Sequence, residues 1–160
     1  DHPVFTMENT IACINNDMML PIGRMKDLMV TGYGQSDLDD LALEAAGRQD
    51  RYLFPDPNPH TGMYFRSDHF AFAKKGVPSL FARGNCDSRE YGKEWAALQE
   101  ADYINNMYHR PADNYYPEVW DLSGIAEDAR VAFEIGYRLT TTDLRPGWKE
   151  GSEFKNLRAR

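Results

Sequence analysis

The sequence is short of cysteine pairs, of positive charge and of long apolar runs. Its two cysteines, Cys13 and Cys86, lie far apart. Neither forms a Cys-x-x-Cys pair, which excludes a zinc knuckle and a thioredoxin-type redox motif. Cys13 sits in an apolar run and reads as a small core hydrophobe, so cysteine usage leaves the compartment open. Eighteen basic residues stand against 25 acidic ones, a formal net charge of -7. Neutralising phosphates needs a basic face, so nucleic acid is not the expected partner. No stretch approaches the ~20 consecutive apolar residues of a transmembrane segment. There is no Gly-x-Ser-x-Gly elbow for a serine nucleophile and no Gly-rich phosphate loop. The chain begins Asp1-His2-Pro3. It shows neither a basic n-region nor an apolar h-region, so no signal peptide is read there, and it reads as a processed product or a piece of a longer chain.

What is present suffices for one domain with a core. The chain has 160 residues, 42% of them apolar and 12% aromatic, which excludes disorder as the default. Thr10 to Met19 opens apolar and turns polar, the pattern of a buried strand with Asp17 at its carboxyl end. Lys26 to Tyr33 reads as a second strand. Ser36 then caps a helix whose stripe is Leu38, Leu41, Ala42 and Ala45, stopped by Gly47. Tyr52 to Phe54 is a short apolar segment ended by three prolines. Ser67 caps a short helix through Lys75, and Val77 to Arg83 follows as a strand. Residues 84–120 are loop-rich, with a helical stretch around Trp95 to Asp102. Leu122, Ile125, Ala126, Ala129, Ala132, Phe133, Gly136 and Leu139 recur at three and four, the clearest amphipathic helix in the chain. The tail after Thr142 has no period. The order of elements predicts an α/β fold with helices covering a sheet.

Three clusters concentrate chemistry. The first is Tyr108-His109-Arg110-Pro111-Ala112-Asp113. Imidazole is the commonest metal ligand, and a ligating histidine usually donates its second N–H to a carboxylate. Asp113 is close enough in sequence to be that acceptor. The plainer reading is a surface loop with an ordinary histidine. The second is Asp17, since sites in open α/β sheets gather beyond the carboxyl ends of strands. The plainer reading is an aspartate capping the turn at Pro21. The third is Phe65-Arg66-Ser67-Asp68-His69-Phe70. Arg66 has the forked guanidinium that holds substrate carbonyl or carboxylate oxygens. His69 sits beside an aspartate, but neighbours at a helix start point in different directions, so it is not expected to bind metal. His60 and His2 are given no role.

Together these clusters resemble the zinc-dependent aminopeptidases of the co-catalytic dizinc exopeptidase family. Ile14-Asn15-Asn16-Asp17-Met18 is similar to that family's Asn-Leu-Asp-Met strand end. Arg66-Ser67-Asp68-His69-Phe70, leading to Lys75-Gly76-Val77-Pro78, is similar to its Arg-Ser-Asp-His helix and Gly-Ile-Pro strand. Tyr108-His109 with Asp113 matches its Tyr-His-Thr-x-x-Asp loop, with Arg110 where Thr is common. The resemblance implies a three-layer fold with a mixed sheet, peptide substrates and two zinc ions. It implies that Asp17 is the terminal carboxylate on one metal and His109 the terminal imidazole on the other. It further implies that Tyr108 stabilises the oxyanion, that Arg66 contacts substrate, and that Asp113 orients His109. Two metals in such sites clamp an activated water and the scissile carbonyl.

The departure from the pattern is large. The family's His-x-Asp motif and Glu-Glu pair, which supply the bridging ligand and the general base, are absent from this sequence. By resemblance, residues 1–160 are the C-terminal part of a single peptidase catalytic domain, with its core over about 10–142 and an irregular tail at 143–160. Missing N-terminal strands would leave a sheet edge and an apolar face uncovered, so self-association or contact with a separate N-terminal segment is expected. Alternatives on the same fold are glutaminyl-cyclase or carboxypeptidase chemistry, or a non-catalytic binding or receptor-type domain. The resemblance leans towards a secreted or periplasmic protein.

Overall fold

The structure is a computed structural model that describes residues 4–157. His2 and the final three residues lie outside the described residues. Eight elements follow in chain order: β1 (Cys13–Asn15), β2 (Asp27–Thr31), α1 (Leu38–Gly47), β3 (Tyr52–Pro55), α2 (His69–Ala73), β4 (Ser79–Arg83), α3 (Gly92–Asn106) and α4 (Ser123–Thr141). The strands form one mixed sheet in the order β1-β4-β2-β3. β1 runs parallel to β4 and β3 parallel to β2, while β2 and β4 are antiparallel. This is the expected α/β arrangement.

Alternation along the strands sorts the side chains into two layers, because successive residues point to opposite faces. Leu28, Val30, Leu80 and Ala82 pack with the α1 residues Leu38, Leu41, Ala42 and Ala45 and the α4 residues Val131, Ile135 and Leu139. Ile14 of β1 joins this cluster. The intervening residues face the other way. There Phe81 meets His69 of α2, their ring centroids 5.1 Å apart. The sheet is therefore covered on both faces, and the fold has three layers.

α1 forms where its stripe predicts. The Ser36 hydroxyl accepts from the Leu38 amide at 3.3 Å, and Asp39 and Asp40 occupy the first turn, where carboxylates complement the helix dipole. α4 also forms where expected, but it presents a different face. Its buried residues are Gly124, Glu127, Asp128, Val131, Ile135 and Leu139, whereas Phe133 is 71% exposed and Leu122 43%. The expected stripe counted apolar residues alone. The real inward face carries two carboxylates, and each has a cation: Glu127 pairs with Arg24 at 2.5 Å and Asp128 with Arg51 at 2.7 Å. Hydropathy reads those two residues as solvent-facing, which turns the stripe away from the sheet.

Gly124 sets how closely α4 approaches. A Cβ there would overlap the carbonyl oxygen of Gly23. Backbone gives way poorly to such an overlap, so Gly124→Ala should cost about 1–3 kcal/mol, read as a lower urea midpoint with an unchanged slope.

The tail forms neither helix nor strand between Thr142 and Leu157, yet it is fastened. Trp148 and Phe154 are buried with Tyr64 and Ala73 in a second apolar cluster. The Trp148 indole donates to the Gly76 carbonyl at 2.9 Å. The irregular segment is part of the packed domain rather than an appendage.

Candidate functional site

Asp17 lies two residues beyond β1, at the end of the sheet shared by the carboxyl end of β4. Its position is fixed from two elements. Asn15, the last residue of β1, donates its side-chain amide to the Ser67 hydroxyl at 2.7 Å. Ser67 in turn donates to the Asp17 carboxylate at 2.5 Å. The segment before α2 thus orients Asp17. The chain turns sharply at once, since Met18 has a φ of 52°. A side chain in the left-handed region is strained, and such strain clusters at functional sites.

The Tyr108-His109 loop follows α3 rather than a strand. α3 ends tightly: the amides of Met107 and Tyr108 both donate to the Tyr103 carbonyl at 2.9 Å. His109 is left-handed, with a φ of 57°. Its ring stacks on the Tyr108 ring at 3.9 Å and 20°, which holds the imidazole at the surface. Asp113 is not its acceptor. The Asp113 carboxylate takes the Tyr103 hydroxyl at 3.0 Å, and no hydrogen bond joins Asp113 to His109 among the described residues. The left-handed turn at His109 carries the following loop back over α3, so Asp113 meets a tyrosine ten positions upstream.

Tyr103 ties the Tyr108-His109 loop back to α3. Its ring is 6.0 Å from that of Tyr108. Its phenol is pushed up to about 12, chiefly by burial, then by the Asp113 hydrogen bond and charge, with Tyr108 and Asp17 adding to the rise. Arg66 is exposed at the end of a short turn, where its amide donates to the Met63 carbonyl at 3.1 Å, and its guanidinium makes no hydrogen bond or ion pair among the described residues. It lines a cleft of about 230 Å³ together with Met29, Asp56, Arg83, Glu100 and Ile104.

His69 takes no part. It is fully buried beneath the Tyr64 ring, centroids 4.6 Å apart, and neither ring nitrogen has a partner. Burial lowers its pKa to about 4, opposed by the charges of Asp17 and Asp68. The neutral imidazole is thus favoured in the fold. A folded-state pKa below the unfolded value adds stability above that unfolded value, and the gain is lost as pH falls through about 4. His69→Leu should therefore keep neutral-pH stability within about 1 kcal/mol. It should also remove up to about 3 kcal/mol of the acid-side loss between pH 6.5 and 4. Urea titrations of both proteins across that range check this, and parallel acid limbs would refute it.

Two residues that matter here escape sequence reading. Ser67 had a signal, since it sits within the Arg66–Phe70 cluster, but its reach to Asp17 depends on the fold. Arg83 also had one: a charged residue closing an apolar strand.

The donor set does not make a zinc site by itself. Asp17 and His109 are of the types zinc takes, but a zinc site uses three or four protein ligands. Among the described residues there is no group of three or more His, Cys, Asp or Glu able to hold a metal ion.

A family model described as peptidase family M28 matches residues 1–133. No curated protein and no solved structure matches.

Proposed function

The chain belongs to peptidase family M28, a family of zinc-dependent peptidases, and on that premise we propose that it carries the C-terminal part of an aminopeptidase domain. In this reading Asp17 and His109 are metal ligands, one to each of two zinc ions, and the remaining ligands and the general base lie outside these 160 residues. The observation that carries it is the match of residues 1–133 to the family model, with Asp17 oriented by Ser67 just beyond the end of β1.

The chain's own residues do identifiable work. Ser67 fixes the Asp17 carboxylate and so sets the direction of its lone pairs. The Tyr108 phenol is held beside His109 by ring stacking. A phenol donates one hydrogen bond, and placed at a developing oxyanion it stabilises that charge. The exposed Arg66 guanidinium holds substrate oxygens by its fork of donors.

No step of hydrolysis is completed by these groups alone. A base must lie within hydrogen-bond reach of the attacking water, and in this reading the site's carboxylate, Asp17, is a metal ligand rather than that base. The purified 160-residue chain with excess zinc should therefore show no measurable turnover of aminoacyl-anilides. Turnover that survives gel filtration and disappears in His109→Ala would show a complete site and overturn the reading. A His-x-Asp motif and a Glu-Glu pair in the sequence upstream would support it. Their absence there would favour a binding module.

A further inference from the structure

Arg83 closes β4 on the face of the sheet that α2 covers, and it is 3% exposed. Its Nε and Nη1 atoms are buried with no hydrogen-bond partner, and no ion pair reaches it among the described residues. An unpaired guanidinium in an apolar setting is among the costliest groups to bury. The Phe81 ring, 4.9 Å from the guanidinium carbon, compensates in part. Burial accordingly pushes its pKa below the ordinary value, and the nearby charges of Glu100, Asp56, Cys86 and Asp17 only oppose this.

Two acids share the cleft, but neither makes an ion pair or hydrogen bond with Arg83 among the described residues. Glu100 accepts from the Asn85 side chain at 2.6 Å. Asp56 accepts from the Asn58 amide at 2.8 Å. The exposed Arg66 guanidinium lines the same cleft and is also without a partner among the described residues. The cleft thus holds two free guanidiniums, one at the surface and one at its floor, with Met29 and Ile104 as apolar walls. A carboxylate on a short apolar stem satisfies all of these features, since the fork of an arginine donates to both carboxylate oxygens. Arg66 of the cleft adjoins Ser67, whose hydroxyl donates to the Asp17 carboxylate at 2.5 Å, and this sets the cleft beside the candidate site.

We propose that this cleft is a carboxylate-binding subsite, with Arg83 as its specificity-determining residue, which selects substrates bearing negative charge near the scissile bond. The assignment of that bond rests on the peptidase reading above. The carboxylate has two chemical sources: an acidic side chain on the N-terminal residue, or the free α-carboxylate of a short peptide.

Two arms test it. In the first, glutarate and its neutral analogue glutaramide are titrated into this chain and followed by NMR. Glutarate should bind roughly 10- to 100-fold more tightly, and Arg83→Met should erase the difference. Should Arg83→Met fail to fold, Glu100→Gln serves instead: with one competing charge removed, glutarate should bind several-fold more tightly. Equal affinity for the two probes, or a preference that survives Arg83→Met or ignores Glu100→Gln, overturns the subsite. In the second arm the complete enzyme is assayed on glutamyl- and leucyl-anilide, and on an N-acetyl dipeptide as free acid and as amide. Arg83→Met should lower kcat/KM roughly 10- to 100-fold for one carboxylate-bearing substrate and leave its neutral counterpart within about threefold. The affected pair identifies the source. Equal losses on charged and neutral substrates would reduce Arg83 to a structural role. If neither anilide is cleaved, the aminopeptidase reading fails while the glutarate arm still decides the subsite.

Discussion

Replacing His109 by alanine in the complete enzyme should remove one equivalent of zinc and nearly all peptidase activity. The imidazole is exposed and touches little besides the Tyr108 ring, so the substitution opens no cavity and the fold should survive it. Loss of a residue that merely orients a metal ligand costs roughly 10- to 100-fold, and loss of the ligand itself should exceed that. Metal analysis and aminoacyl-anilide hydrolysis report the two effects separately. Unchanged zinc content with unchanged turnover would take His109 out of the site. His69→Leu provides the contrast. It removes a histidine of equal sequence prominence, yet zinc content should stay at the wild-type value.

The largest stability effect is expected at Arg51. This side chain is 1% exposed and its partner Asp128 is 4% exposed. Nη2 reaches Asp128 at 2.7 Å, and Nε and Nη2 donate to the Asp27 carbonyl at 3.0 and 2.7 Å. Asp128 also accepts from the Gly84 amide. The group thereby ties α4, β2 and the end of β4 into one polar core. Arg51→Met leaves a buried carboxylate without its cation, which should cost about 3–5 kcal/mol. Burial pushes the Asp128 carboxyl up, and Arg51 is the first opposing influence. With Arg51 gone the carboxyl rises further. A raised folded-state pKa gives stability below the unfolded value that is lost as pH climbs, so the deficit should be largest at neutral pH and shrink on acidification. Urea unfolding at pH 7 and pH 4.5 measures both. Adding Asp128→Asn to Arg51→Met should recover part of the loss, and a purely additive double variant would refute the coupling.

Periodicity carried the reading of the fold only where burial is apolar. α1 and the strands β2 and β4 are buried by apolar residues at regular spacing, so their positions follow from sequence. α3 runs over Gly92–Asn106, well beyond the expected Trp95–Asp102. It buries only Ala96, so it has no stripe to announce its length. α4 was placed correctly but turned wrongly, because Glu127 and Asp128 face inward. In the candidate site, Asp17 was legible as the end of a strand, though β1 is only Cys13–Asn15 and half-buried rather than buried. Its fastening by Ser67 was not, for the two lie 50 positions apart. Asp113 shows the opposite failure, where nearness in sequence suggested a partner that the left-handed His109 denies it. The tail buries Trp148 and Phe154 one at a time, which leaves no repeat to detect.

The Arg51–Asp128 pair also sets a timetable for the growing chain. The two residues stand 77 positions apart, an interval that a ribosome covers in about 4–15 s at typical elongation speeds. β2 and β3, by contrast, are joined by one short helix and can pair as soon as they emerge. During that interval a guanidinium destined for the interior has no counter-ion, and the inner face of β2 and β4 has no α4 to cover it. Until α4 arrives the growing chain keeps that apolar face uncovered, the kind of transiently exposed surface that chaperones shield.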